Sequence, residues 1–443
     1  MLTRRSVLLA GTGMAASAAF AAEEGAASPS GFVGVKDGRF VLDGAAYRYV
    51  GTNLWYGAYL AGTETGKARL CRELDALAGL GITNLRVLGA SELSPLKNSM
   101  RPAIRDAAPP YDEEILQGLD FLLAEMGKRR LKAVIFLNNF WEWSGGMVTY
   151  LYWTNGGHYI DLGDPAHPWP EFADFSARFY KSGAANKLYR AYVASLVGRR
   201  NTVTGKLYRD DPAIMSWQLA NEPRPGGSEA KTDFKAFYAW IADTAAFVKR
   251  LAPRQLVSTG NEGIMGCLES PRCVVSANAV PAVDYLTFHI WPLNWGWIDP
   301  QNLAGTYDAC AEKTCRYVAT HLEIADRLNK PAVAEEFGFP RDDGGYAPSV
   351  PTTFRDRFYR LIFGMVEDSV AAEGAFAGTN FWAWGGEGRA QHADFLMKTG
   401  DTAFVGDPPQ EPQGRNSVFD CDRTTLAAIR LHGDALKTLG VRS

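Results

Sequence analysis

Ile214-Met-Ser-Trp-Gln-Leu-Ala-Asn-Glu-Pro-Arg224 is a short, apolar, β-prone run that ends on a carboxylate, Glu222, and is stopped by Pro223. A second run built the same way, Pro331-Ala-Val-Ala-Glu-Glu-Phe-Gly338, ends on Glu336 before a glycine. Short apolar runs bounded by Pro or Gly read as buried strands. Each strand therefore delivers a carboxylate at its C-terminal end. In a parallel barrel that is the end where catalytic groups sit.

Outward from these runs, Phe32 to Tyr49 alternates like a short hairpin cap, and Tyr47-Arg-Tyr-Val-Gly-Thr-Asn53 reads as a first strand. Further strands are predicted at 83–88, 131–138, 213–219, 254–260, 284–290, 332–336 and 376–382. Helices are predicted at 67–80, 112–128, 173–199, 232–251, 308–328, 353–369 and 423–438. Such βα alternation implies a parallel sheet, and eight units suit an α/β fold of the closed (β/α)8 TIM barrel type with long βα loops. A doubly wound open sheet is the runner-up, but no Gly-x-Gly-x-x-Gly turn follows the first strand. No linker, repeat or low-complexity tract interrupts residues 30–443, which predicts a single catalytic domain there. Three long connections stand out, since structureless loops of such length are usually functional. The first, 139–170, is rich in aromatics, among them Trp141 and Trp153. The second follows the sixth strand and carries Trp291, Trp295 and Trp297. Both start at strand C-termini and are expected to border one mouth. The third, 385–418, is polar and rich in Gly and Pro, and is expected to form a mobile rim.

Bulk properties narrow the function classes. The formal net charge is −3 with no basic block, which points away from nucleic acid. The 47% hydrophobic share is ample for a core, and 12 Trp and 18 Tyr leave rings to stack on sugar faces. Met1-Leu-Thr-Arg-Arg-Ser-Val-Leu-Leu-Ala10 and the small-x-small site Ala19-Phe20-Ala21 predict an export signal over residues 1–21. Its paired Arg4 and Arg5 resemble a twin-arginine signal, an ordinary secretory signal being the alternative. No later run is long and apolar enough to span a bilayer. The protein is therefore expected outside the cytoplasm, periplasmic or secreted. Of the six cysteines, Cys267 with Cys273 and Cys310 with Cys315 can close small local bridges. Cys71 and Cys421 would pair only if the terminal segments meet. Without Cys-x-x-Cys spacing or a neighbouring His, no metal site is expected.

Two carboxylates at strand ends suit glycoside cleavage, where one gives a proton while the other stays ionised. The wider sequence resembles family five glycoside hydrolases, and within them the endo-β-1,4-mannanases. The resemblance rests on Gly51-Thr-Asn53, Thr83-Asn-Leu-Arg86, Leu137-Asn-Asn139 with Gly145-Gly146, and Gly198-Arg-Arg-Asn-Thr-Val-Thr-Gly-Lys-Leu-Tyr208. It continues through Asp210-Asp-Pro-Ala-Ile214, Trp217-Gln-Leu-Ala-Asn-Glu-Pro-Arg224, His289, Glu335-Glu-Phe-Gly338 and Asn380-Phe-Trp-Ala-Trp-Gly385. These recur in order over residues 46–385. The resemblance implies a (β/α)8 barrel and a retaining mechanism.

Carried over residue by residue, it makes Glu222 the acid/base and Glu336 the nucleophile. The proton donor needs a raised pKa, expected from burial beside an anionic partner. Arg86, ending the second strand, is the candidate cation that keeps the nucleophile ionised. Glu335 competes with Glu336, but alternation along a strand is expected to turn only one into the mouth. Glu336, directly before Phe337-Gly338, is the one that matches the family. Asn221 is expected at the sugar 2-hydroxyl, and His289 at the sugar or beside the acid. Where many relatives read His-x-Tyr, this chain has Trp291, which can donate one hydrogen bond but accept none. Trp382 is expected to be the platform under the cleaved sugar, with Trp384 its rival. Arg224 is expected on the leaving-group side, and Trp141, Trp153 and Trp55 as further sugar contacts.

The implied function is endo-hydrolysis of β-1,4-mannosidic bonds in mannan, glucomannan or galactomannan. It would be carried out by a monomer with a polysaccharide or oligosaccharide partner and no metal or organic cofactor. An exo-acting β-mannosidase or a β-1,4-glucanase on the same scaffold is the alternative. A non-catalytic carbohydrate-binding protein would require loss of a carboxylate, and both are present.

Overall fold

In the computed structural model, which describes residues 31–440, eight strands form one parallel sheet. They are β1 (Tyr49–Asn53), β2 (Asn84–Leu88), β3 (Lys132–Phe136), β4 (Ile214–Gln218), β5 (Leu256–Ser258), β6 (Leu286–Ile290), β7 (Ala332–Phe337) and β8 (Phe376–Phe381). Apart from Lys132, every strand residue is buried, as expected when helices cover a sheet whose inner face fills a barrel. The ladder runs β5-β4-β3-β2-β1-β8-β7-β6, so only β5 and β6 lack a ladder between them. Single bonds close that seam. The Asp284 amide donates to the Val257 carbonyl at 2.7 Å, and the His289 amide donates to the Glu262 carbonyl at 3.0 Å. The expected (β/α)8 TIM barrel is thus the fold.

The floor is sealed from the sequence start. Val33–Lys36 pairs antiparallel with Arg39–Leu42, and Val33 and Phe40 pack beneath Tyr49, Met215, Tyr285 and Val333. That closes the N-terminal mouth and leaves the other end for chemistry.

Three expectations about the elements need correction. The helix read over 173–199 is broken, because Ser182 Oγ accepts the Ala185 amide at 3.2 Å and caps a new helix, Gly183–Val197. The 139–170 connection is not structureless but contains the helix Gly146–Thr154. In β7, Ala334 pairs with Phe288 and Glu336 with His289, so Glu335 is an extra residue in a β-bulge. Alternation therefore fails where it was used to separate Glu335 from Glu336.

All six cysteines are free thiols. Cys310 and Cys315 lie on one helix, Leu303–Leu328, five positions apart and about 140° around its axis, so they cannot meet. Cys267 and Cys273 are buried neighbours, whereas Cys421 lies exposed beside Arg389. No helix among the described residues is long and apolar enough to cross a membrane. The export signal expected over residues 1–21 lies outside the described residues.

Candidate active site

Arg86, at the C-terminal half of β2, is fully buried in the barrel and gathers the site around it. Its Nε donates to Gln218 Oε1 at 2.7 Å, and its Nη2 to Asn221 Oδ1 at 2.7 Å. Its Nη1 donates to Asn53 Oδ1 at 3.0 Å and to Glu336. The guanidinium also lies 4.7 Å from the Phe136 ring centre. Four of its donors thus find partners on β1, β4, β7 and just past β4, which fixes the planar fork.

Glu222 lies beyond the end of β4 with φ of 49°, in the left-handed region that non-glycine residues rarely adopt. That turn brings its carboxylate back over the barrel axis. Oε1 meets His289 Nδ1 at 2.6 Å, and Oε2 accepts the Trp141 indole N–H. His289, from β6, also has Nδ1 at 3.3 Å from Glu336 Oε2. One oxygen of Glu222, one of Glu336 and the His289 nitrogen all lie within 4.8 Å of one another. The trio has the count of a metal ligand set, but Nδ1 is already engaged by both carboxylates and Arg86 brings a positive charge to the same point. These donors fit a proton network better than a cation.

Burial alone would push His289 down, but Glu336 and Glu222 outweigh it and raise it to about 10. Burial pushes Glu222 up, yet the hydrogen bond and charge of His289, with Arg224 and Trp141, bring it below the usual carboxylate value. The expectation of a raised Glu222 is therefore overturned. At neutral pH the proton of this pair resides on His289.

The cavity above, about 950 Å³, is walled by the long loops. Trp141, Arg224, Asn221, Trp291 and Trp382 all line it. Arg224 lies over the Trp141 ring at 5.0 Å and pairs with Glu262, a buried carboxylate that also takes the Trp295 indole N–H at 3.1 Å. Burial pushes Glu262 up to about 7 against the pull of Arg224, and the charge of Glu222 adds to the rise. Trp169, 54% exposed, stacks on Trp141 at 6.1 Å and extends that wall. Asn221 uses Oδ1 for Arg86 and donates Nδ2 to Asn139 Oδ1 at 3.1 Å. Trp291 packs edge-on against Trp382 at 6.0 Å. Among the described residues its indole makes no hydrogen bond to Glu336, so it does not replace a tyrosine there.

Of the expected sugar contacts, Trp55 and Trp153 are not in the cavity, and neither is Trp384, the rival of Trp382. Trp55 is 1% exposed and donates its indole N–H to the Gly406 carbonyl at 2.8 Å, anchoring the 385–418 connection. Trp153 packs on Tyr150 and lies 5.1 Å from the Arg105 guanidinium, away from the mouth. Trp384 is buried because the barrel strand ends at Phe381, and Trp384–Gly386 instead pairs with Val418–Phe419. Sequence reading missed Glu262, which follows β5, and Glu411 with Arg415, which reach the cavity from the 385–418 connection. Glu262 follows a predicted strand in an Asn261-Glu262 pair, as Glu222 does in Asn221-Glu222, and could have been found by that signal. Glu411 carries none.

A family described as GH family 5 beta-mannosidase-like matches residues 30–440. Mannan endo-1,4-beta-mannosidase 1 of Arabidopsis thaliana is 28% identical over 369 residues, covering 80% of this chain and 82% of that protein. Putative mannan endo-1,4-beta-mannosidase 4 of the same plant is 30% identical over 384 residues, covering 83% and 86%. A crystal structure of a glycoside hydrolase family 5 mannosidase from Rhizomucor miehei superposes with a TM-score of 0.85 at 33% identity, covering 93% of this chain and 99% of that one.

Proposed function

The chain belongs to the GH family 5 beta-mannosidase-like glycoside hydrolases, and from that premise we propose that it hydrolyses β-1,4-mannosidic bonds with retention, cutting within mannan chains. One observation carries the mechanism. Glu222 and Glu336 present oxygens within 4.8 Å of each other, in keeping with the roughly 5–5.5 Å of retaining enzymes and short of the roughly 6.5–9.5 Å that admits a water in inverting ones. The mannan substrate is supported by the relatives named as mannan endo-1,4-beta-mannosidases.

In this reading Glu336 attacks the anomeric carbon while Glu222 gives a proton to the departing oxygen. Arg86 donates to Glu336 and aims it. The proton reaches Glu222 from His289 along their 2.6 Å hydrogen bond, which leaves a neutral imidazole beside the new glycosyl ester. Glu222 then takes a proton from the water that breaks that ester. Asn221 addresses the 2-hydroxyl, and Trp382 lies under the ring. Neither step needs a metal or organic cofactor. The paired Arg4 and Arg5 support action outside the cytoplasm, with residues 30–443 as one catalytic domain.

A second reading, removal of mannose from chain ends, is favoured by Gln410, Glu411 and Arg415, which enter the cavity beside Trp382 and Glu336. The name of the Rhizomucor miehei neighbour agrees with it. Time courses on mannohexaose separate the two. Internal cutting gives mannobiose to mannotetraose from the first turnovers, whereas end-trimming gives mannose and mannopentaose. Failure to cleave either mannohexaose or an aryl β-mannoside would defeat both readings.

A further inference from the structure

The β-bulge in β7 turns two adjacent carboxylates towards a single arginine. Glu336 bonds to Arg86 Nη1, while Glu335 Oε2 stands 3.8 Å from Arg86 Nε, too far for a hydrogen bond. Arg86 Nε is committed to Gln218 Oε1 at 2.7 Å. Glu335 has zero exposure, accepts only from Gln218 Nε2, and leaves Oε1 without a partner among the described residues. An ionised carboxylate in that place would bury a bare charged oxygen, which is far costlier than burying a neutral acid. It would also set a second negative charge beside Glu336, with Arg86 shared between them.

We propose that Glu335 is a positioning residue, held as a neutral carboxylic acid beneath Glu336 so that the whole charge of Arg86 serves Glu336. The groups facing it agree. Arg86 on β2, Gln218 on β4 and His289 on β6 favour its charge; burial and Glu336 oppose it, and burial is the largest effect, so its pKa is raised. Tyr49 on β1 and Tyr285 just before β6 feel its charge as unfavourable, and the Tyr49 hydroxyl is itself buried without a partner among the described residues. Among the described residues, no cation other than Arg86 and His289 faces it. The inference rests on Glu336 being the nucleophile.

Difference infrared spectroscopy of the full-length enzyme against Glu335→Gln tests the protonation, and kcat/KM against pH tests the role. At about pH 6, well above the ordinary glutamate value, wild type should show a buried protonated-carboxyl band that E335Q lacks. The neutral isostere should keep the acidic limb of kcat/KM within about 0.3 pH unit of wild type, because no charge beside Arg86 has changed. If no such band is lost, or the acidic limb of E335Q falls by about one pH unit as Glu336 gains sole use of Arg86, the proposal is overturned. Should E335Q not fold, Glu335→Met carries the same two readouts without charge. A band that is lost as expected while Glu336→Ala keeps full turnover would overturn the role through the nucleophile, not through Glu335.

Discussion

Trp141 shows how one side chain sets the chemistry of another. Its indole N–H favours the ionised form of Glu222, so Trp141→Phe should raise the Glu222 pKa. Because the proton of the pair resides on His289, the alkaline limb of kcat/KM should stay in place while the Glu222 carboxylate titrates about one pH unit higher than in wild type. Difference infrared spectroscopy against pH checks this, and an unmoved carboxylate band would mean the contact is idle. Glu92 offers a stability test. It is fully buried, accepts the Gly146 amide at 2.8 Å, and burial pushes it up to about 7 against Arg105. A carboxyl raised on folding contributes stability that is complete below its unfolded value and is lost as pH rises through the folded one. Wild type should therefore lose up to about 3 kcal/mol between pH 4.5 and 7 that Glu92→Gln does not lose, read by denaturant melts at each pH. At this scale the sequence exposed Glu222, Glu336, Arg86 and His289, because each ends or nearly ends an apolar strand. It could not tell Trp55 from a sugar contact, since a tryptophan after a strand looks the same whether it faces a cavity or a loop carbonyl.

Elements were legible where period and length agreed, and each strand was placed to within about two residues, the usual play in boundaries. What stayed hidden was irregular backbone. The β7 bulge has no sequence mark, because Glu335 and Glu336 are equally good or bad strand residues. The same holds for the exit of the chain from β8 at Phe381, which buries Trp384 although alternation joins it to Trp382. The Gly145–Gly146 turn is the irregularity that does leave a signature. Gly146 has φ of 65°, and a Cβ there would lie 2.4 Å from the Trp141 carbonyl oxygen and 2.5 Å from that of Asn139. Gly146→Ala should cost about 1–3 kcal/mol and displace the turn that presents Trp141. A thermal melt should show the loss, and kcat should fall more than KM changes. A variant with wild-type melting and kcat would show that the turn is not needed to place Trp141.

At the scale of the whole molecule, the barrel supplies a rigid ring of strand ends, and the long βα connections supply the substrate walls. Substrate choice should therefore follow from the groups above the ring. A site that hydrogen-bonds one arrangement of hydroxyls leaves buried polar groups unpaired with the epimer. Manno-oligosaccharides should be cleaved at least about 100-fold more efficiently than cello-oligosaccharides, and comparable rates on mannan and carboxymethylcellulose would remove the mannan reading while sparing the two-carboxylate one. The wall itself was only half legible. Aromatic clusters announced the 139–170 connection, but the part of 385–418 that brings Glu411 and Arg415 to the cavity is held by Asp407, which accepts the Gly414, Asn416 and Ser417 amides, a local knot that composition does not reveal. The central claim is that this barrel delivers Glu336, and not its neighbour, to the anomeric carbon. Trapping with a 2-deoxy-2-fluoro-β-mannosyl fluoride, followed by fragment sequencing of the labelled peptide, tests it most directly. The account predicts one fluoromannosyl group per chain, attached to Glu336; a label on Glu335 or Glu222, or an active enzyme that takes up no label, would contradict it.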